Sequence, residues 1–153
     1  MSKKTTSALI LLAPLATGVI AAFITRGGIG IYDRFVKPPL SPPSWVFPAV
    51  WTVLYALMGI GAYIVYNSKS PRKKNALVIF FIQLLFNFFW SVIFFELKDF
   101  MFAFVWIVFL WLFILFTLIE FFKINKTAAY LLIPYLIWVT FAGYLNLALY
   151  ILN

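Results

Sequence analysis

The chain has 153 residues, of which 65% are hydrophobic and only 10% charged. A soluble domain of this size carries roughly a quarter charged residues and a polar exterior, so soluble, disordered and multidomain readings are excluded together. Net charge is +8 with no Cys and no His, which removes disulfides, thiolate nucleophiles, the commonest metal ligand and the commonest general base, and no metal site is expected.

Five charge-free runs follow in order, each near the ~20 residues that cross a ~30 Å hydrocarbon core as a helix. None alternates as a barrel strand does. Helices are predicted at about 7–25, 44–66, 75–95, 100–119 and 127–152, a single all-α transmembrane domain with five spans. The first run follows Lys3 and Lys4 as a signal peptide would, but lacks a small-x-small site before Arg26 and reads as a mature helix. Pro14, Gly18, Ala22 and Thr25 share one side of it, and Gly18-x-x-x-Ala22 permits close backbone approach.

The segment 26–43, RGGIGIYDRFVKPPLSPP, holds three glycines and four prolines and is expected to be a long non-helical loop. The second run places Pro48, Trp51, Tyr55, Gly59 and Ala62 on one face, aromatic above and small below. After a basic connection, the third run carries Gln83, Asn87 and Ser91 at i, i+4 and i+8, with Trp90 beside them. Polar groups at lipid depth are costly and so informative. Interhelical hydrogen bonding and ligand binding account equally for Gln83 and Ser91, while ligand contact is favoured for Asn87 because Trp90 adds an aromatic wall. The fourth run is bulky on all sides. In the fifth, Pro134, Trp138, Ala142, Leu145 and Asn146 form a stripe, with room beside the Trp138 indole for a flat group.

The short connections predict antiparallel neighbours in a compact bundle. Eight cations (Lys3, Lys4, Lys69, Arg72, Lys73, Lys74, Lys123, Lys126) fall at one end and four (Arg26, Arg34, Lys37, Lys98) at the other. That bias predicts an N-terminus inside and the long loop outside. It also explains the positive charge better than nucleic-acid binding does. Three faces with a Trp near one level, a few amides and no charges suit a large, flat, apolar ligand beneath the loop. Arg26, Arg34 and Lys37 either bind acidic groups at its rim or are solvated, with Asp33 pairing one of them.

The stretch Lys37-Pro38, Pro42-Pro43-Ser44-Trp45, Val50-Trp51-Thr52-Val53-Leu54-Tyr55 and Met58-Gly59 resembles the signature of the translocator protein family, also called tryptophan-rich sensory proteins or peripheral-type benzodiazepine receptors. Gln83 with Asn87-Phe88-Phe89-Trp90-Ser91, and Leu131-Leu132-Ile133-Pro134-Tyr135 with Trp138, Phe141-Ala142 and Leu145-Asn146, resemble its further signatures. The resemblance runs through nearly the whole chain in order. It implies a five-helix membrane bundle, a homodimer, and binding of porphyrins such as protoporphyrin IX and of isoquinoline or benzodiazepine ligands. By motif, the implied pocket uses Tyr32, Pro42, Pro43, Trp51, Asn87, Trp90, Trp138, Ala142 and Leu145, and Tyr55 joins them from its place on the Trp51 face. The resemblance further implies light- and oxygen-dependent porphyrin degradation involving Trp51 and Trp138, in a bacterial cell membrane. Two positions depart from the pattern: Leu40 replaces a Trp, and Tyr150 is followed by Ile151-Leu152-Asn153 instead of the cation of a sterol-recognition pattern.

The leading functional expectation is therefore a porphyrin-binding membrane protein that promotes photo-oxidative breakdown, with no resident cofactor. Whether such breakdown is enzymatic turnover stays open. The alternatives are a translocator of tetrapyrroles or other lipophiles, and a ligand-responsive sensor or scaffold.

Overall fold

Apolar side chains along every span leave the backbone as the main polar burden, and a helix satisfies it internally, as lipid demands. The computed structural model describes residues 1–153 and contains no strand. Helix α1 covers Lys3–Tyr32, α2 Val46–Tyr66, α3 Lys73–Val92, α4 Phe100–Phe122, α5 Lys126–Tyr130 and α6 Ile133–Leu152. A π-helical turn, Ile93–Leu97, prolongs α3, and α5 with α6 forms the last span, giving five helical segments long and apolar enough to cross a membrane.

Side-chain caps begin three helices: Ser2 accepts from the Thr5 N–H at 3.2 Å, Asp99 from Phe102 at 3.0 Å and Asn125 from Ala128 at 3.1 Å. Pro134 sits in the first turn of α6, where its missing N–H costs least, so the chain breaks at Leu131–Leu132 instead of kinking mid-helix.

The first connection differs from expectation. The predicted loop 26–43 begins only after Tyr32, because α1 runs straight through its three glycines. Gly27 and Gly30 face open space, and none of the chain's glycines takes a positive φ. Gly28 is there for proximity: a Cβ would collide with the Phe95 carbonyl of the π turn. The prolines, which do forbid helix, start at Pro38, and Leu40 takes a left-handed φ of 70° in the loop they stiffen.

Helix α1 packs on α2 and α3, and α4 on α3 and α6. The α1–α2 approach is backbone-close, since a Cβ on Gly59 would strike the Leu11 carbonyl and one on Gly18 the ring of Tyr55. By contrast, the backbones of α2 and α6 stay apart along nearly all their length. Rings fill that gap: Phe47 meets Trp138 at 6.1 Å and Trp51 meets Tyr135 at 6.1 Å.

Candidate functional site

The second turn of α2 brings Trp51 into an aromatic cluster. Its indole stacks on Tyr55 at 5.5 Å with 27° between planes and lies 6.3 Å from Trp90 of α3. Beside it a cavity of about 180 Å³ opens between α1 and α2, walled by Gly18, Thr25, Phe47, Trp51, Tyr55 and Phe95 among others. Val19, Ala22, Pro48 and Thr52 also line it and are exposed, so the cavity faces sideways, toward the bilayer. No charged side chain reaches it.

Behind the cavity lies a buried hydrogen-bond chain across three helices. The Tyr55 hydroxyl donates to Asn87 Oδ1 at 2.5 Å, Asn87 Nδ2 donates to the Tyr135 hydroxyl at 2.9 Å, and that hydroxyl donates to Gln83 Oε1 at 2.7 Å. Asn87 is 0% exposed, with both polar atoms paired. Trp90 is tied down similarly, donating to Asn146 Oδ1 at 3.1 Å while Asn146 Nδ2 donates to the Phe100 carbonyl at 2.7 Å. Such bonds hold apolar-sided helices together where the hydrophobic effect does not act between them.

Tyr32 ends α1 fully enclosed, its ring edge-on to Phe47 at 5.0 Å and its hydroxyl donating to the Pro42 carbonyl at 3.1 Å. The Pro43 carbonyl accepts from the Val46 N–H at 3.0 Å and so starts α2. Trp138 is half-buried between Phe47 and Phe141, and its Nε1–H is enclosed without an acceptor. Ala142 and Leu145 continue that face of α6 into the core.

Of the pocket residues expected from sequence, Trp51 and Tyr55 line the cavity, and so does Ser91, for which ligand binding and interhelical bonding are equal readings of the sequence. Tyr32 and Trp138 stand one ring away through Phe47, and Trp90 and Asn87 are reached through Trp51 and Tyr55. Pro42, Pro43, Ala142 and Leu145 do not border it. The rim cations part company. Arg26 stacks on Phe23 at 4.4 Å, Lys37 donates to the Tyr32 and Asp33 carbonyls at 3.4 and 3.2 Å, and exposed Arg34 makes no ion pair. Asp33 is held by the Ser44 hydroxyl at 3.1 Å and pairs with none of them.

Phe47 and Tyr135 escaped the sequence reading as site residues, though each had a signal: they fall four residues before Trp51 and three before Trp138, on the same helix faces.

Comparison with known proteins shows the family of the chain. The model of the TspO/MBR family matches residues 10–152. The chain is 39% identical over 142 residues to the tryptophan-rich protein TspO of Chlorobaculum tepidum, covering 91% of this chain and 90% of the relative. It is 40% identical over 115 residues to the tryptophan-rich sensory protein of Cereibacter sphaeroides, covering 75% and 72%. With the translocator protein of Bos taurus it shares 34% over 139 residues, covering 88% and 82%.

Proposed function

Because the chain belongs to the TspO/MBR family and is a multi-pass integral membrane protein, we propose that it binds porphyrins such as protoporphyrin IX against the Trp51 cluster and promotes their light- and oxygen-dependent degradation. The observation that carries this reading is the cluster itself: Tyr55, Trp90 and Tyr135 each packed on Trp51, which lines a charge-free cavity. Stacked and edge-on rings offer a flat conjugated ligand apolar area, and indoles offer it electrons. The porphyrin supplies the light absorption and dioxygen the oxidant. The protein supplies orientation and a short aromatic path.

At about 180 Å³ the cavity is smaller than the ~300–1,000 Å³ of ordinary ligand pockets, so binding requires it to expand. The α2–α6 gap is where expansion is easiest, since rings instead of backbones fill it. Parting those rings would expose the acceptor-free Trp138 N–H as a donor for a ligand carbonyl or carboxylate. The same site would take isoquinoline and benzodiazepine ligands. The proposal includes a homodimer in a bacterial cell membrane with the N-terminus inside.

The test is purified full-length chain with protoporphyrin IX, illuminated and dark, followed by absorbance, with binding measured separately by fluorescence quenching. Trp51→Phe and Trp138→Phe should keep most of the affinity, because Phe retains much of the stacking area. Light-dependent conversion should fall at least about tenfold, equivalent to ~1.4 kcal/mol of barrier. If both variants convert at the parental rate, the indoles only line the site and breakdown is photobleaching of a bound dye. A second reading, passage of lipophiles, draws on the sideways opening between α1 and α2. Dark flux of porphyrin into sealed vesicles separates it from degradation.

A further inference from the structure

Two phenols lie against the Trp51 indole. Tyr55 stacks on it at 5.5 Å and Tyr135 meets it edge-on at 6.1 Å, while the second indole, Trp90, stands 6.3 Å away. Under the photochemical reading above, on which this inference rests, an electron passes from the Trp51 indole to the excited porphyrin and on to dioxygen. The porphyrin is restored, dioxygen becomes superoxide and the indole is left as a radical cation. Whether that oxidising equivalent stays on the indole or drains into a neighbouring phenol depends on where a phenolic proton can go. A phenol gives up an electron more readily than an indole when its proton leaves too. It does so less readily when the proton must stay, because a phenol radical cation is much the stronger acid.

The hydrogen bonds decide this for both phenols. The Tyr55 hydroxyl donates to Asn87 Oδ1, and the Tyr135 hydroxyl donates to Gln83 Oε1 at 2.7 Å while accepting from Asn87 Nδ2 at 2.9 Å. Gln83 Nε2 donates in turn to the Met58 sulfur at 3.9 Å. Each phenolic proton therefore meets an amide oxygen, and the chain of bonds ends on a thioether. Neither group takes up a proton as a carboxylate or an imidazole does. Exchanging the oxygen and nitrogen of either amide reverses a donor but brings in no base. Tyr55, Gln83, Asn87 and Tyr135 are all buried, so bulk water is no acceptor either. The chain has no His, and its four carboxylates, Asp33, Glu96, Asp99 and Glu120, all stand near helix ends, whereas Tyr55 and Asn87 lie within their spans.

We propose that Asn87 and Gln83 are positioning residues that keep Tyr55 and Tyr135 out of the photochemistry, so that the oxidising equivalent stays on the Trp51–Trp90 indole pair. An amide gives a buried hydroxyl the hydrogen bond it needs and withholds the base that would let the phenol be oxidised.

The test is electron paramagnetic resonance of the purified full chain with protoporphyrin IX, illuminated in the presence of oxygen and frozen. Samples are grown with ring-deuterated tryptophan or ring-deuterated tyrosine. The light-induced protein radical should narrow with deuterated tryptophan and not with deuterated tyrosine. Asn87→His places a base on the Tyr55 hydroxyl and should give a radical that narrows with deuterated tyrosine. Adding Tyr55→Phe to that variant should return the signal to tryptophan. Gln83→Glu offers the same acceptor to Tyr135 and carries the test if Asn87→His loses its helices by circular dichroism. A tyrosyl radical in the parent overturns the proposal, as does porphyrin conversion with no protein radical. An indole signal unchanged in the folded base-bearing variants overturns it too, since the amides would then not be what excludes the phenols. A parent that fails to convert porphyrin overturns the proposed function and this inference with it, whereas conversion with a tyrosyl radical overturns this inference alone.

Discussion

At the scale of single residues, Asn87 is the joint on which the centre of the bundle depends. Replacing it by Leu keeps the approximate size but strands the Tyr55 hydroxyl and removes a donor from Tyr135. A buried polar group left unpaired costs about 1–3 kcal/mol, so Asn87→Leu should lower the thermal midpoint in detergent. Adding Tyr55→Phe should recover part of that loss, since the two residues share one bond and their effects couple. An additive double variant would show that the bond contributes little. Among the rim cations, Lys37 is occupied at the end of α1 and Arg26 lies along Phe23, which leaves Arg34 free to meet a porphyrin carboxylate. Arg34→Gln should therefore flatten the salt dependence of porphyrin affinity more than Arg26→Gln does. Such surface attraction is screened over ~10 Å at 0.1 M salt, and the check is binding at low and high ionic strength.

At the scale of elements, the loop from Asp33 to Trp45 is tethered as well as proline-stiffened. The Asn153 side chain accepts from the Val36 N–H at 3.0 Å and donates to the Val36 carbonyl at 2.9 Å, while the Tyr144 hydroxyl donates to the Pro39 carbonyl at 2.9 Å. The end of α6 thus fastens the loop beside the α2–α6 gap. Asn153→Ala combined with Tyr144→Phe should speed hydrogen exchange at the Val36 amide and shorten the residence time of a bound ligand, with the helices intact by circular dichroism. Unchanged exchange would mean that the prolines and the Tyr32–Pro42 bond suffice. Glycines set the other contact that admits no substitution: Gly59→Ala drives a Cβ into the Leu11 carbonyl. It should destabilise the α1–α2 pair far more than Gly27→Ala, which meets open space. Thermal unfolding of the two variants makes that comparison directly.

At the scale of the whole molecule, eight cations at one end and four at the other predict the orientation in the membrane. The chain has no Cys, so single cysteines report topology without background. An impermeant maleimide should reach Leu40→Cys, where the native side chain is 83% exposed, from outside intact cells, and Lys69→Cys only after the cytoplasmic face is opened. The reverse pattern would invert the assignment.

The sequence by itself determined the class of the protein, its five spans and its family, because hydropathy acts over whole segments and lipid leaves a chain few ways to satisfy its backbone. It also placed Trp51 and Tyr55 on one face, since helical periodicity is local. It misplaced the end of α1, because three glycines signal a loop when read locally and a helix when one of them must admit the Phe95 carbonyl of another element. Which polar residues close on one another was likewise beyond it. Gln83, Asn87 and Tyr135 join across helices, and Trp138 rests against Phe47 instead of the cavity, only once the order of packing is known. The wide α2–α6 gap and the close α1–α2 contact are properties of pairs of faces, decided by which side chains stand between two backbones, and that pairing exists only in the tertiary structure.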